Sequence, residues 1–475
     1  MNLRNKIKQD LESKLDINLS FDMSKLEVNE KRVINPRRII KYTSLALASS
    51  LLIAFMVPII SMLDVDTTYN EVKRRYSLNE VEILNNTSFK KMNEVKYPSS
   101  KREIYGVSEE YKDALNDFTY NVYNELDKDN ISFSPLGLYS NLNIISLASD
   151  NKEVLNQFDD VLGLNKESRK ENFKNMYRSN FFANEEGTLQ MYNAVFQSNK
   201  WKYNEDFIND LSEYYTESYV LDFDDNSDVN KLLDWIDSTL KENKFLSKKD
   251  LEINELTALY FFTSIYFNNE WNKRYLSKDN YRDDFYNLDG SKVTKEYMNH
   301  VIKTPIYIYD DYISVYDSYK NNMSIQYIIP KEIDSNIYDL VNGVNFLKED
   351  ESKLNESYFI DLSVPKFDFE SNIDFYEIIK SIGLDKLFNA NSLNRAFEYV
   401  DENGFSLEYI KQKNKVEFNE KGTVVKSFTI SMGAKNTSMS PLDTYTLEVK
   451  LNSPFIYVIR DVNNLPLYIG NVSNL

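Results

Sequence analysis

Apolar residues recur at intervals of three and four from Ser108 onward, so Tyr111, Leu115, Phe118, Val122 and Leu126 line one face of a predicted amphipathic helix. In NISFSPLGLYSNLNIISLAS (130–149) a short strand turns at Ser134-Pro135 into a nearly all-apolar helix, a composition that demands burial on every side. TALYFFTSIYF (257–267) and MSIQYIIP (323–330) are short runs of β-branched and aromatic residues suited to central strands. NIDFYEIIKSIGLDKLF (372–388) returns to helical spacing with Gly383 as its terminator, and PFIYVIRDVNNLPLYIGNV (454–472) reads as two strands around an Asn463-Asn464 turn. Helices come mostly first and strands mostly last, an α+β order without internal repeats. The segment from Val416 to Phe455 breaks this pattern. It begins and ends like a strand pair, yet its middle is too long for a hairpin, and long connections of that kind are functional or disordered.

Ahead of the globular pattern, Tyr42–Leu63 runs 22 residues without a charge, enough to cross a bilayer as a helix. Lys31, Arg32, Arg37, Arg38 and Lys41 precede it, and Asp64, Asp66 and Glu71 follow. The positive-inside rule therefore predicts residues 1–41 in the cytoplasm, a single-pass signal-anchor at 42–63 and the rest of the chain outside the cell. The leader is too long for a cleaved signal peptide, and the small residues Ala46–Ala48 fall at the start of the apolar run. Residues 64–107 are polar, mixed in charge and poorly periodic, which reads as an extracellular stalk. The folded domain is expected over 108–475.

Composition narrows the chemistry. A net charge of −18 disfavours nucleic-acid binding, which needs basic surface to neutralise phosphates. The chain has no cysteine, which removes disulfides, thiolate metal sites and cysteine nucleophiles together. His300 is the only histidine, lies in EYMNHVIKT with no nucleophile motif nearby, and is expected to be structural or at the surface. With no metal cluster, phosphate loop or usable triad in view, no cofactor or metal is expected and an enzyme is the disfavoured class. The acidic stretch DFDDNSD (222–228) lacks the glycine and terminal glutamate of a calcium loop and reads as a solvated loop.

Five segments, taken together, resemble the serpin family over residues 108–475. NISFSPLGLYSNL (130–142) is similar to the opening of the family's buried second helix, and SIYFNNEWNKRY (264–275) to a strand with Phe267 and Trp271 in the expected places. VPKFDFE (364–370) with IGLDKLF (382–388), NEKGT (419–423), and SPF with PLYIGNV follow in the family's order. The resemblance implies helices packed on a large mixed central sheet with smaller sheets, and an exposed reactive-centre loop over about 420–448. It also implies a suicide-substrate inhibitor of serine or cysteine proteases: the target cleaves the loop, and the freed loop inserts into the central sheet while the protease is still attached. The alternative is a serpin fold without inhibitory insertion, serving as a binding or surface-display module. Either would be a monomer.

Glu420, Gly422 and Thr423 form the hinge by this resemblance, and Ser134, Thr263, Trp271 and Gln412 the region where the sheet opens. An inserted strand must alternate its faces. Thr423, Val425, Ser427 and Thr429 fall on one face; Val424, Lys426, Phe428 and Ile430 fall on the other, so the one charge can stay toward solvent. No proline stands between Glu420 and Ser440 to block a central strand. Thr423 is expected to leave solvent and enter the sheet first. The chain departs from the family in three places. VVKSF (424–428) replaces a run of very small residues, Gly137 stands for a serine, and Gln412 and Thr263 replace a histidine–asparagine pair. Gln412 and Thr263 can still hydrogen-bond one another. The family's spacing from Glu420 puts the reactive bond at Asn436–Thr437, which suits an asparaginyl-type protease; a shift of one residue gives Lys435–Asn436 and a trypsin-like target.

Overall fold

The computed structural model describes residues 88–101, 103–355, 358–401, 403–425 and 446–475. The expectations for 1–87, including the cytoplasmic segment and the charge-free run, lie outside the described residues, as do Lys435, Asn436 and Thr437. Among the described residues no helix is long and apolar enough to cross a membrane.

Three sheets form the body. The largest runs in the order β1 (Lys90–Lys91), β5 (Thr216–Leu221), β4 (Gly187–Ser198), β6 (Leu259–Glu270), β16 (Gly422–Val425), β15 (Lys411–Asn419) and β14 (Phe367–Asp374), with β3 (Phe182–Asn184) folded onto β4. A second contains β12 (Leu354–Asn355), β9 (Ile306–Ile308), β10 (Tyr312–Tyr319), β11 (Met323–Pro330), β18 (Phe455–Arg460), β19 (Pro466–Val472) and β2 (Ile131–Phe133). The third contains β17 (Thr446–Lys450), β13 (Phe359–Pro365), β8 (Lys292–Ile302) and β7 (Tyr281–Tyr286). The longer helices, α1 (Glu109–Asn124), α2 (Pro135–Ser146), α3 (Lys152–Val161), α4 (Lys166–Ser179), α5 (Glu205–Glu213) and α6 (Asn226–Leu240), all precede Lys241, but β3, β4 and β5 are interleaved with them.

The periodic segments become the elements expected of them. Ser108 caps α1 by accepting a hydrogen bond from the Tyr111 amide, and the face from Tyr111 to Val122 is buried. Ser134 caps α2, Pro135 occupies its first turn, and all of its residues except Asn141 are buried between the first two sheets. Gly137 is explained by the close packing there, because a Cβ at this position would lie 3.1 Å from both Ile265 Cδ1 and Ser134 Oγ. The C-terminal strands turn at Asn464, whose φ of 64° is left-handed, with Asp461 accepting from the Asn463 and Leu465 amides.

Three expectations are corrected. The helical spacing read from Asn372 starts only at α7 (Tyr376–Ile379), because the alternation of Phe367, Phe369, Ser371 and Ile373 continues β14 through Asp374 in register with β15. Gly383 then breaks the helix at φ 116°. The acidic stretch is not a solvated loop throughout: Asp225 caps α6, and Asp228 is fully buried, accepting from Ser88 Oγ at 2.7 Å and from the Asp222 amide at 3.1 Å. Residues 88–107, read as the end of a stalk, lie along the body. β1 pairs antiparallel with β5, Lys91 reaches Glu217 at 2.7 Å, and Asn93 bonds the backbone of both Thr216 and Ser218. Phe89 packs on Tyr219, and Tyr97 stacks on Phe181. The folded body therefore starts no later than Ser88.

Candidate functional site

The hinge of the long connection is built into the largest sheet. β15 runs out at Asn419, turns through Glu420 and Lys421, and the chain comes back as β16 between β15 and β6. β16 is antiparallel to both neighbours, with Thr423 opposite Phe418 on one side and Asn269 on the other. No ladder joins β6 to β15 directly among the described residues. The two run parallel with room between them for one strand, of which four residues are described.

Each hinge residue has a local physical reason. Gly422 is required by close approach: a Cβ there would stand 2.0 Å from the Asn269 carbonyl oxygen. Thr423 is fully buried and its hydroxyl shares a 2.6 Å hydrogen bond with the Tyr319 hydroxyl. Burial pushes the Tyr319 phenol well above its ordinary pKa, so it remains a neutral partner. Trp271 stacks on Tyr319 with ring centroids 4.5 Å apart, and its indole donates to the Asn419 carbonyl at 2.8 Å. The Trp271 amide donates to Lys421 O at 3.0 Å, so one residue clamps both sides of the turn. Glu420 is held by Lys366 at 2.5 Å and by the Asn280 amide at 2.7 Å. Burial raises the Glu420 carboxyl, but the Lys366 ammonium and the hydrogen bonds outweigh it and hold the group below its ordinary pKa. Glu296 completes the cluster at 3.0 Å from Lys366.

Thr423 is therefore not waiting in solvent, as its sequence suggests; it already occupies the sheet. Glu420, Gly422, Thr423 and Trp271 come together, and Ser134 meets Gln412. The Gln412 side chain accepts from the Ser134 amide at 2.6 Å and donates back to the Ser134 carbonyl at 3.2 Å. Ser134 Oγ donates to Leu467 O at 2.7 Å. Thr263 stands apart from both: its hydroxyl donates to Asn193 Oδ1 at 2.9 Å and accepts from Asn141 Nδ2 at 3.3 Å. The Gln412–Thr263 bond expected from sequence is not made, because β6 and β15 belong to opposite sides of the slot and each residue bonds within its own side. His300 is buried, its ring stacked on Tyr275 at 3.7 Å and its Nε2 3.2 Å from Asp317 Oδ2. Sequence reasoning missed Tyr319 and gave Lys366 no role. Lys366 lies inside the quoted VPKFDFE segment, so a signal was present; the stretch around Tyr319 offers none.

The start of the long connection is thus seated as β16 between two strands that share no ladder of their own among the described residues. A family model described as "Serpin (serine protease inhibitor)" matches residues 113–475. An uncharacterized serpin-like protein of Methanosarcina acetivorans is 25% identical, covering 76% of this chain and 85% of its own. Human Serpin I2 is 24% identical over 75% of this chain and 90% of its own. The crystal structure of the thermophilic serpin tengpin in its native state superposes with a TM-score of 0.68 at 23% identity, covering 81% of this chain and all of that one. The chain belongs to the serpin family, whose members are generally protease inhibitors.

Proposed function

We propose that this protein is a membrane-anchored inhibitor of serine or cysteine proteases that works as a suicide substrate. The loop over about 420–448 is the bait, and cleavage at Asn436–Thr437, or at Lys435–Asn436 for a trypsin-like target, frees it to continue into the sheet. The observation that carries this reading is β16: Gly422–Val425 pairs with β6, its first three residues pair with β15 as well, and those two strands share no ladder of their own among the described residues. The protease is halted because the strand that carries it moves from solvent into a buried ladder, a gain realised only after the loop is cut.

The anchor rests on the charge-free run 42–63 and its basic flank, and puts the serpin domain outside the cell. Protease added to intact cells is expected to release the domain; complete protection before lysis would refute the topology. Inhibition itself is tested by mixing the full-length protein with a panel of trypsin-like, asparaginyl-type and other serine and cysteine proteases and looking for a denaturant-resistant covalent complex. A cleaved loop beside fully active enzyme, across the panel, would favour a non-inhibitory binding or display module. With Val424 and Val425 already seated in β16, it is Phe428 that speaks for that second reading, since bulk just past the seated residues slows a strand that must enter quickly.

A further inference from the structure

Two Asn-Gly dipeptides occur in the chain, Asn342–Gly343 and Asn403–Gly404, and the fold treats them differently. The dipeptide is chemically special because glycine has no Cβ to keep the preceding side chain away from its amide nitrogen. Asn342 follows the short helix Ile337–Leu340 in a turn tied on both flanks: the Asn342 amide donates to Asp339 O at 3.4 Å and the Val344 amide to Val341 O at 3.0 Å. Between them the Gly343 amide has no hydrogen-bond partner among the described residues, and neither has the Asn342 side chain. Both residues are exposed and Gly343 has a left-handed φ of 76°. Beyond its chain neighbours, no heavy atom lies within 4 Å of where a Gly343 Cβ would stand.

Asn403–Gly404 is closed where the first is open. The Gly404 amide donates to both the carbonyl and Oδ1 of Asp401, each at 3.2 Å, and a Cβ on Gly404 would stand 2.2 Å from Asn391 Oδ1. The one Asp-Gly pair, Asp289–Gly290, is closed too. Its glycine amide donates to Asn287 O at 2.9 Å, and Asp289 Oδ1 accepts from the Ser291 amide at 2.8 Å.

We propose that Asn342 is a site of spontaneous deamidation, the position at which this chain passes from amide to aspartate and isoaspartate as it ages. The Gly343 nitrogen gives up its proton and bonds to Cγ of Asn342. The Cγ–Nδ2 bond breaks, ammonia leaves with that proton, and a succinimide ring remains. Water then opens the ring. Cleavage at Cγ leaves aspartate; cleavage at the main-chain carbonyl leaves isoaspartate, its backbone rerouted through Cβ and Cγ and one carbon longer. Water is consumed, ammonia is released, a negative charge is gained, and nothing is oxidised or reduced. The isoaspartate matters because of what the same turn carries. Phe346 O accepts from Gln326 Nε2 and Leu347 O from Arg460 Nη2, both at 3.3 Å, and all four residues are buried. An extra backbone carbon at position 342 displaces the start of this turn and loosens the seat of Arg460.

The test incubates full-length protein in detergent at mildly alkaline pH and maps its peptides by mass spectrometry over time. Isoaspartate is read separately, as the methyl groups that an isoaspartyl methyltransferase transfers from S-adenosylmethionine. A hydrogen bond of ordinary net strength corresponds to about twofold to tenfold in an opening equilibrium, so folded protein should convert Asn342 faster than Asn403 by at least that factor. In concentrated guanidinium chloride, where both glycine amides are free, the two rates should converge. Asn342→Gln should silence that peptide and hold the thermal unfolding midpoint through a long incubation in which the parent's falls. Equal rates at the two sites in the folded protein, or no conversion at Asn342, would overturn the proposal. Rates that stay apart in denaturant would overturn its structural basis, since neighbouring sequence and not the fold would then set the preference. A midpoint that holds in the parent despite conversion would leave the site standing and overturn its effect on the turn.

Discussion

Near the hinge β6 and β15 both pair with β16, whereas at the level of Thr263 and Gln412 each bonds within its own side; the same two strands behave differently over that short distance. Where β16 has entered, the Thr423 hydroxyl, the Trp271 indole and the Glu420 carboxylate all have partners. Beyond Val425, Thr263 bonds back toward β4 and α2, Gln412 bonds back toward Ser134, and nothing described joins the two. Asn193 Nδ2 and Ser264 Oγ, beside Thr263, are buried without a hydrogen-bond partner among the described residues. Buried polar atoms without partners cost free energy, so this stretch of β4 and β6 is less well satisfied than the hinge cluster around Thr423.

The largest effect should come from denying the hinge its place. Gly422→Val puts side-chain carbon where the Asn269 carbonyl already stands, and is expected to expel β16, lower stability by about 3 kcal/mol or more, and abolish covalent complex formation. Thermal unfolding and gel analysis read both effects; a folded, inhibitory variant would refute the close approach. Thr423→Arg comes next. It brings a charge against Tyr319 and Trp271 at a fully buried position, costing several kcal/mol by the general penalty for an unpaired buried ion. The loop should still be cut, but as a substrate, and unchanged inhibition would mean that insertion does not pass through this position.

Tyr319→Phe sharpens the comparison further. It strands the buried Thr423 hydroxyl, at a cost of about 1–3 kcal/mol, whereas the double change with Thr423→Val removes both partners and should restore most of the loss. Additive losses in chemical denaturation would mean that the two hydroxyls do not depend on one another. The smallest effect concerns pH. Because the Glu420 carboxyl is held below its ordinary value, its stabilisation is present above the ordinary carboxylate pKa and is lost as pH falls through the lower folded value. Wild type should exceed Glu420→Gln by roughly 0.5–1 kcal/mol at neutral pH, the advantage shrinking below about pH 4. An advantage independent of pH would point to packing instead of the Lys366 ion pair.

What could be read from the sequence follows from how local each cause is. The burial of α2, the strand character of β6, β11 and β18, and the hinge glycine are written in neighbouring residues, through apolar density, β-branching and the need for a missing Cβ. Tyr319 was not legible because it acts on Thr423 from 104 positions away. Asp228 was mistaken for solvated surface because its partner, Ser88, arrives from a segment with no periodicity of its own. The Gln412–Thr263 pair failed for a topological reason. The two residues share a level in the sheet, but the room left for one more strand separates them, and no spacing in the sequence encodes that room.

The short strand at the margin of the largest sheet has a consequence for the company this protein keeps. An open sheet rim is a row of unspent backbone groups, and rims invite strangers to add a strand. Lys90 and Lys91 spend the groups of Tyr219 and Val220, the Met92 amide and the Asn93 side chain serve Ser218 and Thr216, and the two lysines add charge where a flat neighbour would have to lie. On that side the molecule is fenced against uninvited pairing between copies. The strand that the sheet does seat in its interior, β16 between β6 and β15, belongs to the same chain.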